Sequence, residues 1–188
     1  SPGGQGGRGG IRWLRRPPGI RPRLLPLYFD VVDTAGHHGG ISSAEVNAAV
    51  AEVDRNIGAL IAGARELGRT INLVVVSDHG MADVSSDRVV LLDPIIDRAS
   101  YILPETGPYA AIEPAAGTDN RVYDALLQPH EHMQCRRKED LPERLHYGHN
   151  PRVAAIICLA DPGWIILAGT PANPVHGGAH GWDPAWAE

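Results

Sequence analysis

Apolar residues recur every three or four positions along the chain from Val46 through Val50, Val53, Ile57, Leu60, Ile61 and Ala64 to Leu67, a spacing that lays one stripe down a helix. Ser42 before this run, with Glu45 three residues on, has the pattern of a capping box, and Gly68 suits the left-handed position that closes a helix. The pattern predicts a helix over residues 43–67. Continuous apolar runs flank it, LLPLYFDVV at residues 24–32 and INLVVV at residues 71–76. Both are short and predict buried strands. A strand, a helix and a second strand in that order predict a parallel pair joined by a right-handed crossover.

Weaker periodicity predicts strands at 89–92, 109–113 and 153–159, and helices at 94–98 and 120–127. The stretch 169–188 reads mostly as loop, and no internal repeat is present. Residues 1–23 are rich in Gly, Arg and Pro without usable period, a composition that predicts disorder. The alternation of strands and helices in the rest predicts an α/β class.

Composition narrows the function. At 188 residues the chain fits one ordinary domain, and a hydrophobic fraction of 43% suits a globular protein. Six of the seventeen basic residues precede residue 24, where no acidic residue occurs, leaving eleven basic against twenty-two acidic side chains in the remainder. Such a balance gives no basic footprint for nucleic acid. It accommodates multivalent cations, though a solvated acidic surface explains it equally well. No apolar run approaches the roughly 20 residues of a membrane span, and no signal-peptide pattern opens the chain, so the compartment is not set by sequence. Cys135 and Cys158 lack CxxC spacing and form no cysteine zinc site. Buried thiols and a single disulfide are both open.

Candidate chemistry gathers after the two apolar runs. Asp33 and His37 lie four apart and would share a helical face. Asp78 and His79 are adjacent, with Gly80 to bend the backbone, and could equally be a hydrogen-bonded turn. His180 sits among Gly177, Gly178 and Gly181. Carboxylate with imidazole is a ligand set for zinc, and strand ends in open α/β sheets gather functional groups. The remaining histidines, His38, His130, His132, His146, His149 and His176, have no comparable context.

Taken in order, YFDVVDTAGHHGG, VVVSDHGMADVSSDRVV and HGGAHGWD resemble the nucleotide pyrophosphatase/phosphodiesterase family of the alkaline phosphatase superfamily. The stretch QCRRKEDLPERLHYGHNPRVAAIICLADPGW resembles the same family's C-terminal half. The resemblance implies an alkaline-phosphatase-like, mostly parallel sheet flanked by helices, with residues 24–188 as the C-terminal part of a catalytic domain. It implies two zinc ions, one held by Asp33, His37 and His180 and the other by Asp78 and His79 with upstream partners. Tyr28 matches the aromatic that packs on a nucleobase, although a strand aromatic in the core explains it too. The substrate implied is a nucleotide or other phosphodiester. The family's nucleophilic threonine or serine belongs to a motif absent here, and Thr34, Thr70, Thr106, Thr118 and Thr170 do not match it. Alternatives are a phosphomonoesterase or phosphonate hydrolase of the superfamily, and a non-catalytic metal-binding fragment. The resemblance also places Cys158 in a strand that could lie beside Cys135. If the full protein is exported, to a periplasm or outside the cell, a bridge is permitted.

Overall fold

Leu60 and Ala64, on the apolar stripe of the predicted central helix, meet Leu14 in the core of the first of two units, which divide between Asp78 and His79. The computed structural model describes residues 4–186. In the first unit, α1 (Gly4–Leu14), α2 (Val31–Gly39) and α3 (Ala44–Glu66) follow in order. The predicted helix is present as α3, but its N-cap is Ser43 rather than Ser42: Ser43 Oγ accepts from the Val46 N–H at 3.1 Å. Gly68 takes a φ of 61° just past the helix end, as expected of a closing glycine.

Helix α1 lies in the segment expected to be disordered; residues 1–3 of that segment lie outside the described residues. Its glycines explain the difference. A Cβ on Gly63 of α3 would stand 2.6 Å from Ile11 Cδ1, and one on Gly10 would stand 2.9 Å from Leu60 Cδ1. Missing side chains let the two helices approach closely, and burial of Leu14 against α3 supplies what composition lacks.

The two flanking strands are not formed. Residues 24–30 and 71–76 join no ladder among the described residues, and residues 31–32 open α2 instead. Leu25, Leu27 and Ile71 still pack on the α1–α3 core. Val74, Val75 and Val76, however, are 80%, 70% and 83% exposed. An apolar run reports a preference for burial, whereas a strand also needs a neighbouring backbone to bond with.

The second unit comprises β1 (Ala82–Asp83), β2 (Val89–Leu91), β3 (Tyr101–Glu105), β4 (Tyr109–Pro114), α4 (Asp119–Leu126), β5 (Met133–Arg137), β6 (Ile156–Ala160), β7 (Ile165–Leu167) and β8 (Gly178–Ala179). An antiparallel sheet runs in the order β3-β4-β6-β5, β1 pairs antiparallel with β8, and β2 pairs parallel with β7. The α/β class holds. Parallel pairing, expected to dominate, is seen among the described residues in β2–β7.

Strand β6 explains its own unbroken apolar sequence. Ile156, Cys158 and Ala160 face one buried cluster with Ile112, Val122 and Leu126, while Ile157 and Leu159 face another with Ala111 and Ala154. A strand covered on both faces does not alternate. The predicted strand at 153–159 thus begins at Ile156, and the predicted helix at 94–98 is a turn leading to a short 3-10 segment, Arg98–Ser100. Cys135 stands directly opposite Cys158 across β5 and β6, and the two form a disulfide.

Candidate metal centre

In the first unit, α2 begins after Asp30, whose carbonyl accepts from the Thr34 N–H at 2.9 Å. The helical turn stacks Asp33 and His37 one above the other, with Oδ1 and Nε2 3.5 Å apart and both side chains partly exposed. Two donors about 2.0–2.2 Å from one tetrahedral ion stand roughly 3.4 Å from each other. This donor pair therefore fits an ion without rearrangement. A shallow cavity lined by Asp30, Val31, Thr34, Ala35, His38 and Glu45 opens on a different side of the helix. Tyr28, 74% exposed, lies outside the first unit's core.

In the second unit, the β1–β8 ladder sets the geometry. Ala82 pairs with Ala179, which brings His79, three residues before β1, to His180, directly after β8. Their rings stack with centroids 3.5 Å apart and planes within 14°. His79 Nδ1 lies 2.9 Å from the Gly80 carbonyl. A carbonyl only accepts, so Nδ1 is the donor of this contact, and in a neutral ring that leaves the lone pair on Nε2. Metal-binding histidines are commonly oriented in this way. Asp78 closes the first unit and His79 opens the second.

The chain after His180 is anchored more firmly than its loop-like sequence suggests. Trp182 Nε1–H donates to the Trp164 carbonyl at 2.8 Å. Asp183, 3% exposed, accepts from both terminal nitrogens of Arg144 at 2.5 Å and from the Ala185 N–H at 3.0 Å. The Arg144 hydrogen bonds hold the Asp183 carboxyl below the usual aspartate range, outweighing the opposing effect of burial. Burial pushes Tyr109 above its usual range, with Tyr147 and Glu105 adding to the effect. Neither Arg144 nor the role of Asp183 was visible in the sequence. The pair is separated by 39 positions, and no local periodicity links them.

His132, in the tight turn closed by the antiparallel bridge between His130 and Met133, stacks on Trp164 with ring centroids 3.6 Å apart and sets Nδ1 3.1 Å from Asp161 Oδ2. His130 Nε2 lies 3.0 Å from the Ala125 carbonyl. Both rings thus have structural work within the second unit.

The family model for type I phosphodiesterase / nucleotide pyrophosphatase matches residues 8–183, and the chain belongs to that family. It is 38% identical over 180 residues to ectonucleotide pyrophosphatase/phosphodiesterase family member 5 of Homo sapiens, covering 95% of this chain and 37% of that protein. It is 36% identical over 174 residues to a bis(5'-adenosyl)-triphosphatase of Xenopus laevis, covering 91% of this chain and 38% of that one. Among solved structures, murine ectonucleotide pyrophosphatase/phosphodiesterase 5 superposes with a TM-score of 0.85 at 38% identity, over 95% of this chain and 48% of that one. The fold is thus alkaline-phosphatase-like, and the chain spans about half the length of the solved relative.

Proposed function

We propose that this chain supplies ligand residues for a zinc-dependent phosphodiesterase or nucleotide pyrophosphatase. Asp33, His37 and His180 would hold one zinc. Asp78 and His79 would hold the second with partners from outside these 188 residues. The observation that carries the reading is the 3.5 Å separation of Asp33 Oδ1 and His37 Nε2, which suits two ligands of one tetrahedral ion. The hydrogen bond from His79 Nδ1 to the Gly80 carbonyl adds support, since it directs Nε2 to a ligand role. When bound, zinc lowers the pKa of an attacking hydroxyl or water and neutralises charge on the phosphoryl oxygens.

The residues' own tasks follow from their chemistry. Metal binding requires carboxylate ligands ionised and imidazole ligands neutral. Tyr28 offers an exposed ring for stacking on a nucleobase. The Homo sapiens and Xenopus laevis relatives are named as an ectonucleotide pyrophosphatase/phosphodiesterase and a bis(5'-adenosyl)-triphosphatase, which favours nucleotides over simple monoesters. An inactive threonine-to-alanine variant of the murine relative has been solved with AMP. No threonine here matches a nucleophile motif, so we assign that group to a threonine or serine outside the chain.

Assays with zinc on a chromogenic phosphodiester and a phosphomonoester, alongside metal analysis after dialysis, test this reading. The chain is expected to retain about one zinc, and His180→Ala to lose it. Turnover by the chain alone is several powers of ten below that of a full-length family enzyme, because a positioned nucleophile is worth that much. Zinc retention unaffected by His180→Ala, or robust zinc-dependent turnover by these residues, would overturn the assignment.

A further inference from the structure

The segment that presents His180 is joined to β1 by a short ladder, continued by the Val84 N–H to the Gly177 carbonyl at 2.9 Å, and the His180 ring stacks on His79. Strand β8 is two residues long, and Gly181 follows with a φ of 121°, a conformation that only glycine adopts readily. Beyond this swivel the chain has two further fixed points. Trp182 supplies one hydrogen bond, to the Trp164 carbonyl. The stronger restraint is the next residue. Asp183 is almost fully buried, and both carboxylate oxygens are taken by Arg144.

Arg144 is itself well founded. It lies in the turn Glu143–Leu145, whose Leu145 packs with Leu141 against Ile157 and Leu159 of β6. A line of contacts therefore runs from the central strand of the sheet through Leu145 and Arg144 to Asp183, three residues beyond His180. A two-point guanidinium–carboxylate contact fixes orientation as well as distance, which a single hydrogen bond or a lysine does not. We propose that the Arg144–Asp183 pair is the positioning device for His180, holding the segment after Gly181 to the β6 side of the sheet so that the imidazole stays oriented as a metal ligand. This rests on the reading of His180 as a ligand. It adds a specific requirement for the fork, which that reading does not itself demand.

Cobalt(II) titration of the 188-residue chain, followed by its visible absorption and by competition with a chelator, tests the pair without relying on turnover. Asp183→Asn and Arg144→Gln are each expected to weaken cobalt binding about 10–100-fold, the usual loss when a residue supporting a metal ligand is removed. The double variant should be no weaker than the worse single one. Arg144→Lys, which restores the charge and one contact, should recover part of the loss. Thr118→Ala is the control. It removes hydrogen bonds to the Ser100 and Ala115 carbonyls in the same unit, so it lowers thermal stability but leaves cobalt affinity and spectrum unchanged. Should Asp183→Asn fail to fold, the two Arg144 variants, made at a half-exposed side chain, decide the matter alone. Cobalt affinity within twofold of wild type in Arg144→Gln, or a loss matched by Thr118→Ala, overturns the positioning role while leaving His180 as a ligand. Equal cobalt binding by wild type and His180→Ala overturns the ligand assignment itself, and the proposal with it.

Discussion

At the scale of single residues, sequence distance governed what could be read. Asp33 and His37 are four apart on one helix, so their meeting is legible in the sequence alone. His79 and His180 were each legible as candidates, but their stacking depends on a two-residue ladder that no periodicity announces. Arg144 and Asp183 were not legible as a pair, because their contact is made by packing on β6. That pair carries a pH signature. Asp183 has a folded-state pKa below its unfolded value, chiefly through its hydrogen bonds to Arg144. Its stabilising contribution is therefore fully present above the unfolded pKa of about 3.9 and fades as pH falls through the lower folded value. Urea midpoints of wild type and Asp183→Asn should differ most near neutral pH and converge as pH drops below about 4. A gap that stays constant down to pH 2 would show that the carboxylate's charge contributes nothing.

At the scale of elements, local signals and partner-dependent signals separated cleanly. Helix α3 was legible because a 3.6-residue stripe and a serine cap are properties of one segment. The runs at 24–32 and 71–76 were legible as apolar but not as strands, since a ladder is a property of two segments. Strands β3 and β5 went unread for a related reason: they are short and half exposed, so their pattern is faint without the buried β4 and β6 between them. Helix α1 was missed because glycine reads as a helix breaker until close packing against α3 gives its absent side chain a use. The cross-strand position of Cys135 and Cys158 turned an open alternative into a bridge. Closing a loop across a separation of 23 residues is worth on the order of 3 kcal/mol in the unfolded-chain entropy model. Denatured protein should show no free thiol before reduction and two after it. The Cys135→Ser/Cys158→Ser variant should unfold at a clearly lower urea concentration. Two titratable thiols in unreduced protein would contradict the bridge.

At the scale of the whole molecule, the exposed run in the first unit is the feature most at odds with a soluble surface. Leu73, Val74, Val75 and Val76 are 45%, 80%, 70% and 83% exposed, and no charged residue lies between Ile71 and Ser77. Large contiguous apolar patches are uncommon on monomeric proteins. This one also has extended backbone outside any ladder among the described residues, and β-branched side chains that favour strand pairing. Such a segment is a template for edge-to-edge association, and no proline or charge within it opposes that. Sedimentation of the purified chain should therefore show concentration-dependent self-association. Val75→Lys should shift the distribution several-fold towards monomer, because a charge in the middle of the run would have to be desolvated in any paired strand. The same substitution should leave the unfolding midpoint nearly unchanged, as the residue it replaces is exposed in the isolated chain. A wild-type chain that remains monomeric at high concentration, or a Val75→Lys variant that associates as readily as wild type, would place the source of any association elsewhere than residues 71–76.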